Sequence, residues 1–285
     1  MFDRIDAWVT WLSWKNSAAT VKAYRYEAVR LFLFCDGELV DRDRLFAHLI
    51  ALPASVRYRA ACALRSFFIF AERNDLAKLI ALPKRDGRKP GRTLQPDQLL
   101  AVLTCCDTST VVGRRDLALQ ALMVDSGLRA AEICRLQIEQ VDLGNRLLWV
   151  VVKGGQTGFG SFGAETANYL SAWLSVRSSA TPFVFTAVYH DRGLTSDGLR
   201  SIFHKIGLAA GLPHYSPHDL RRTFATIASL LGCPPRVLQV AGRWERLSMV
   251  ERYTAAIRAQ QIAPYLPVSG IMSGRIGGPG LPLGS

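Results

Sequence analysis

At 285 residues, 49% of them hydrophobic, the chain is long enough to bury a substantial core and to divide into two domains, so disorder is not its default state. Its formal net charge of +12 points to a polyanionic partner, because Lys and Arg that displace counterions from phosphates bind DNA whatever its sequence; a membrane surface would attract the same charge. There is no run of ~18 apolar residues, Met1 to Lys15 mixes acidic with apolar side chains unlike a signal peptide, and the cysteines form no CxxC pair, which disfavours a membrane span, secretion, a zinc site and a disulfide framework.

Taken in chain order, residues 1–82 read as all helical, with segments Asp3 to Trp14, Thr20 to Phe34, Asp41 to Leu52 and Pro53 to Glu72 repeating apolar residues at i, i+3 and i+4. In the second segment Val21, Tyr24, Ala28, Leu31 and Phe32 turn toward a core and leave Lys22, Arg25 and Arg30 outside; Arg57, Arg59 and Arg65 do the same in the fourth. These charges are either a solvated face or phosphate contacts, and 17 basic against 10 acidic residues up to Arg92 keep the second reading open. Residues 83–93 hold Pro83, Lys84, Arg85, Gly87, Arg88, Lys89, Pro90, Gly91 and Arg92, a composition that excludes a helix and suits an extended basic linker between domains.

A second domain, 94–266, opens with a helix at Pro96. Asp116 to Leu136 follows as a helix or helix pair broken at Ser126-Gly127. Leu147 to Lys153 is the clearest strand, with another expected around Ile138 to Leu143, so a small sheet sits in a mainly helical domain. Helices resume from Thr195, and the Gly- and Pro-rich residues 267–285 read as a disordered tail. Cys35, Cys62, Cys105, Cys106, Cys134 and Cys233 lie in apolar stretches and read as reduced, mostly buried side chains.

Five places carry chemistry in combination, although each has a plain structural reading. Arg129 follows a helix break and precedes Glu132 by three residues, which is either a simple ion pair or a guanidinium held toward a phosphate. Lys153, the only lysine between Lys89 and Lys205, ends an apolar strand before two glycines and either reaches solvent or offers a proton to a leaving oxygen. His218 and Arg221 share a helical face after Pro217, with Arg222 beside them. Trp244 precedes Tyr253 by nine residues; both suit a core, but a phenol whose ordinary pKa is near 10 becomes a nucleophile only beside cations and a base.

The ordered set Gly127-Leu128-Arg129 with Glu132, Lys153, His218-x-x-Arg221, and Gly242-x-Trp244 before Tyr253 resembles the tyrosine recombinases, also called the phage integrase family, of the Cre/Xer-like kind without an arm-binding domain. Thr20-Val21-x-x-Tyr24 and Phe67-Phe68-x-Phe70 resemble that family's core-binding domain more loosely. The resemblance implies a mainly α protein: an all-helical core-binding domain, then an α+β catalytic domain with a small sheet. It also implies a cytoplasmic site-specific recombinase that uses no metal or other cofactor. Arg129 and Arg221 would clamp the scissile phosphate, Tyr253 would attack it, Lys153 would serve as acid, His218 as base or hydrogen-bond partner, and Trp244 as support. Double-stranded DNA would be the partner, met as a homotetramer on two sites, with the free protein a monomer or weak oligomer and Ala255 to Tyr265 a helix that docks on a neighbour or on its own core. Phosphate contacts would come from Lys22, Arg25, Arg57, Arg59, Arg65, Lys84, Arg85, Arg88, Lys89, Arg92 and Arg222. The family's usual His stands as Trp244 here; the other register, Arg243, lies ten residues from Tyr253. A type IB topoisomerase and a catalytically silent DNA-binding protein are the alternatives.

Overall fold

A computed structural model describes residues 2–82, 91–151 and 155–254. The chain divides into two units, Met1–Arg88 and Lys89–Ser285, and is mainly α with one small sheet.

Unit 1 contains five helices among the described residues, α1 (Phe2–Ser13), α2 (Ala18–Phe34), α3 (Arg42–Ala51), α4 (Ala54–Phe70) and α5 (Asn74–Leu79). Side chains start two of them: Ser17 accepts from the Thr20 N–H at 3.3 Å before α2, and Asp41 from the Arg44 N–H at 2.8 Å before α3. Ile5, Trp8 and Leu12 form the buried stripe of α1, and Trp8 meets Phe67 of α4 edge-on at 5.3 Å. On α2, Ala28 and Leu31 are buried while Val21, Tyr24 and Phe32 are half-buried. One core position went unread: Glu27 is fully buried (0% exposed). Helix α5 is too short to announce itself by periodicity.

Unit 2 begins by settling Gly91 to Leu94 on its own body. The Arg92 guanidinium donates to the Pro213 carbonyl (2.9 Å) and to Asp219 (3.1 Å), and the Leu94 N–H donates to Thr223 Oγ1 (2.9 Å). The end of the expected linker is therefore hydrogen-bonded to unit 2. Helices α6 (Pro96–Thr104), α7 (Val111–Ser126) and α8 (Ala130–Arg135) follow. Thr110 caps α7 by accepting from the Gly113 N–H at 3.0 Å, which starts that helix earlier than its apolar pattern suggests. Helix α7 is buried over most of its surface, against the later helices Ala164–Leu174 and Pro217–Leu230.

The strand expected over Ile138 to Leu143 is instead a 3₁₀ turn, Ile138–Gln140, and a two-residue strand β1 (Val141–Asp142). Ile138 donates to the Pro182 carbonyl at 2.8 Å, and Asp142 turns the chain by accepting from Asn145, so only two residues remain to pair. They join β2 (Leu147–Val151), which pairs antiparallel with β3 (Thr157–Ser161) from Leu147↔Ser161 to Val151↔Thr157. Strand β3, Thr-Gly-Phe-Gly-Ser, has loop composition and exists because the free edge of β2 needs a partner. The remaining helices are α9 (Ala164–Leu174), α10 (Ser196–Ala209), α11 (Pro217–Leu230), α12 (Pro235–Ala241) and α13 (Ser248–Thr254).

The cysteines depart from expectation. Only Cys35 and Cys106 are buried, Cys62, Cys134 and Cys233 are intermediate, and Cys105, at the end of α6, is exposed. The expected tail 267–285 and the docking helix Ala255 to Tyr265 lie outside the described residues.

Candidate active site

The site is built around two short non-helical joints, Gly127 to Arg129 between α7 and α8, and Gly242 to Trp244 after α12. Gly127 ends α7 with φ +59, and a Cβ there would lie 2.4 Å from the Phe224 ring, so both the left-handed turn and the close approach require glycine. Gly242 is needed for space alone: a Cβ would fall 1.7 Å from the Trp244 ring. The two joints are thereby drawn onto α11, whose Phe224 stacks on Trp244 at 6.2 Å and 15°.

Arg129 occupies the residue before the first turn of α8, and Glu132 reaches back to it. One Glu132 oxygen accepts from the Arg129 backbone N–H (2.9 Å) and the other from its Nη1 (2.6 Å). The Arg129 Nη2 donates to the Arg243 carbonyl (2.9 Å), and the side chain stays 38% exposed. The expected pair is thus present, as half of a capping box that also aims a guanidinium.

Arg221, on the buried face of α11, donates from Nη1 to the Gly127 carbonyl and from Nη2 to the Gly242 carbonyl at 2.6 Å. Its guanidinium carbon stands 4.5 Å from the centre of the Trp244 ring, a cation–π contact in a site only 6% open at the tryptophan. The two arginines therefore hang from neighbouring carbonyls, 242 and 243.

His218 lies exposed in the first turn of α11, one turn before Arg221. Its imidazole pKa is pushed below the ordinary 6.5, by partial desolvation first and then by Arg222, Arg221 and Arg129, with Asp219 opposing. A neutral ring at neutral pH follows, the form that accepts a proton. Asp219 is buried, accepts from the Ser216 N–H at 3.0 Å, and pairs with Arg92 and Arg222, so these two predicted DNA contacts are anchored on one carboxylate.

Glu132 is nearly buried, and burial alone would raise its pKa; the charge of Arg243, the Arg129 N–H and the Arg129 guanidinium together hold it below the ordinary carboxylate value. Arg243 is the residue that sequence reasoning undervalued. Its guanidinium is buried and pairs with Glu132 at 3.3 Å, while the adjacent Trp244 ring packs with α11, α12 and α13 through Ala225, Leu238 and Val250. Nothing local marks this, since Arg beside Trp in a loop has no period to read.

Tyr253 lies in α13, three residues beyond the buried Val250, and α13 packs on both α11 and α12. Lys153, Lys84, Arg85, Arg88 and Lys89 lie outside the described residues. In unit 1, Lys22 and Arg65 are exposed, Arg25 pairs with Asp6 at 3.4 Å, Arg57 donates to the Ile50 and Leu52 carbonyls at the end of α3 (3.2 and 2.9 Å), and Arg59 grips Glu27 (3.0 and 2.7 Å).

Comparison with known proteins now fixes the class. The tyrosine recombinase XerC of Oceanobacillus iheyensis is 33% identical over 280 residues, covering 88% of this chain and 90% of the relative. XerC of Bacillus pumilus is 32% identical over 209 residues, 67% of each chain. Among solved structures, the XerH site-specific recombinase in its post-cleavage complex superposes with a TM-score of 0.71 at 19% identity, over 89% of this chain and 80% of XerH. The Tn1549 transposon integrase with circular intermediate DNA gives 0.69 at 16%, over 96% and 99%. These two likenesses establish the fold. The protein is a tyrosine-type site-specific recombinase, and neither the topoisomerase nor the silent DNA-binding alternative is favoured. More particularly, the chain belongs to the Phage integrase family, whose profile matches residues 92–259.

Proposed function

We propose that this recombinase cuts and rejoins double-stranded DNA through a covalent bond to Tyr253, with residues 94–266 carrying the chemistry, residues 1–82 gripping the flanking duplex and the basic residues 83–93 joining them. The observation that supports the reading is the suspension of Arg129 and Arg221 from the adjacent carbonyls of Arg243 and Gly242; in this reading one phosphate bridges the two guanidiniums. That clamp favours the charge of the transition state over that of the ground state, and does with fixed cations what a metal ion does at other phosphoryl-transfer sites, so the reaction needs none.

In the proposed step the Tyr253 phenolic oxygen attacks the scissile phosphorus in line. The phenolic proton passes to His218 or to water, the bond from phosphorus to the 5′ oxygen breaks, and Lys153 protonates that oxygen. A 3′-phosphotyrosyl bond and a free 5′-hydroxyl result. Because the phosphodiester energy is conserved, the 5′-hydroxyl of a partner strand reverses the step without ATP. Trp244, rather than Arg243, stands against Arg221 in this reading, which its stacking contact supports.

Double-stranded DNA as partner is supported by the related XerH, solved with difH substrate, and by the Tn1549 integrase, solved with its circular intermediate DNA. In this reading Lys22 and Arg65 reach phosphates directly, while Arg25, Arg57, Arg59, Arg92 and Arg222 present charge from internally anchored positions; Lys84, Arg85, Arg88 and Lys89 follow the backbone between the domains. Four copies on two sites complete strand exchange in the cytoplasm, serving a mobile element or the resolution of a replicon.

The test is to incubate the protein in EDTA with nicked duplexes covering the DNA that flanks its gene, and to look for a protein–DNA adduct on a denaturing gel. The nick lets the cut end diffuse away and so traps the intermediate. We expect an adduct with the wild type and none with Tyr253→Phe; duplexes that are bound but never yield an adduct would overturn the reading.

A further inference from the structure

We propose that Arg243 is a positioning residue that holds Arg129 in place for catalysis, an inference that rests on the reaction just described. Three observations meet at this residue. Its backbone adopts φ +54, a left-handed conformation that side chains other than glycine seldom take. Its guanidinium, only 4% exposed, donates to the carbonyls of Ser126 (3.2 Å), Phe159 (3.0 Å) and Ala241 (2.8 Å) and to Glu132 (3.3 Å). Its own carbonyl accepts from Arg129 Nη2 at 2.9 Å.

These contacts close a ring. Arg129 is fixed by Nη1 to Glu132 and by Nη2 to the Arg243 carbonyl, and Glu132 is fixed in turn to the Arg243 guanidinium. Both anchors of the Arg129 fork thus depend on one residue, which also ties the end of α7, strand β3 and the end of α12 together. The left-handed turn has a further effect. It lets the Gly242 carbonyl face Arg221 and the Arg243 carbonyl face Arg129, so that consecutive peptide units serve the two arginines. A turn alone would be made better by glycine; the guanidinium is what glycine lacks.

Arg243→Gly separates the two roles, because it keeps the backbone conformation and removes the side chain. It is expected to melt below the wild type, because Glu132 loses a buried partner, but per folded molecule to bind duplex equally well and to form the adduct about 10–100-fold more slowly, the usual cost of losing a group that orients a reactive one. On a duplex whose scissile phosphate is a methylphosphonate, which lacks the charge that Arg129 neutralises, the defect should largely disappear. An equal defect on both substrates, or wild-type cleavage of the ordinary duplex, would overturn the proposal. If the glycine variant fails to fold, Arg243→Lys, which keeps the cation beside Glu132 but not the fork, is read the same way. A measurement on DNA-free protein distinguishes failure of this inference from failure of the reaction: the Arg129 guanidinium protons, assigned through Arg129→Lys, should exchange slowly in the wild type and rapidly in Arg243→Gly. Equal exchange in both would overturn the positioning role whether or not an adduct forms.

Discussion

Among the described residues each unit of the molecule buries one glutamate between two arginines, and only the arrangement in unit 2 belongs to the proposed site. In unit 1, Glu27 on α2 takes Arg59 from α4 at 2.7 Å and Arg30 from its own helix at 3.9 Å. In unit 2, Glu132 takes Arg129 at 2.6 Å and Arg243 at 3.3 Å. The local chemistry is the same. What differs is the backbone around it: Glu27 bridges two regular helices, whereas Glu132 sits in the first turn of α8, just past a break in the helix, beside carbonyls at 127, 242 and 243 that accept from Arg221 and Arg129. A buried carboxylate with arginines is therefore weak evidence of function, and convergence on unwound backbone is the stronger mark.

That contrast can be broken by mutation. The largest effect should come from Arg221→Ala, which removes a charge from the clamp: adduct formation should fall by about 10²–10³-fold or more, the range seen when one preorganised donor is deleted. Quench-flow or gel kinetics, scaled to the folded fraction, measures it. Glu132→Gln should slow cleavage by about 10–100-fold while DNA affinity holds, because the carboxylate acts through Arg129.

His218, the proposed proton acceptor, gives a pH signature of similar origin. With the His218 pKa held below its ordinary 6.5, the imidazole stays neutral from neutral pH down through that value. Cleavage should be flat over that range, then fall about tenfold per pH unit below the depressed midpoint as the ring is protonated. A rate profile in His218→Asn that retains the same acidic limb would assign it to another group. Glu27→Gln should have the smallest influence on chemistry. It should cost about 1.5–3 kcal/mol of stability, as the hydrogen bonds lose their charge, and leave cleavage per folded molecule unchanged. Denaturant melts alongside adduct kinetics check both halves, and a cleavage loss matching that of Glu132→Gln would erase the distinction between the two clusters.

Much of the site was legible because its members sit at helical spacings. Arg129 with Glu132, and His218 with Arg221, are each three residues apart, so one face carries both. Helices α1 to α4 of unit 1 were legible for the same reason. Glu27 was not, since a charge three residues before Arg30 reads as a solvated pair, and its burial depends on Arg59, which is 32 residues away. Arg243 was weighed only as the alternative to Trp244, because its partners, Ser126 and Glu132, lie 117 and 111 residues away and its backbone conformation has no signal in residue type. Strand β3 was hidden by its glycines, and the supposed strand at Ile138 lost its first half to a contact with Pro182. In each case a long-range contact outweighed the local pattern.

The central claim is that the phenol of Tyr253 carries the cut strand. Trapping the adduct on a nicked duplex, digesting both protein and DNA, and locating the residual nucleotide by mass spectrometry tests it most directly. A nucleotide attached through its 3′ phosphate to the peptide containing Tyr253 is the predicted result; a nucleotide on any other residue, or an adduct of equal yield from Tyr253→Phe, would contradict the account.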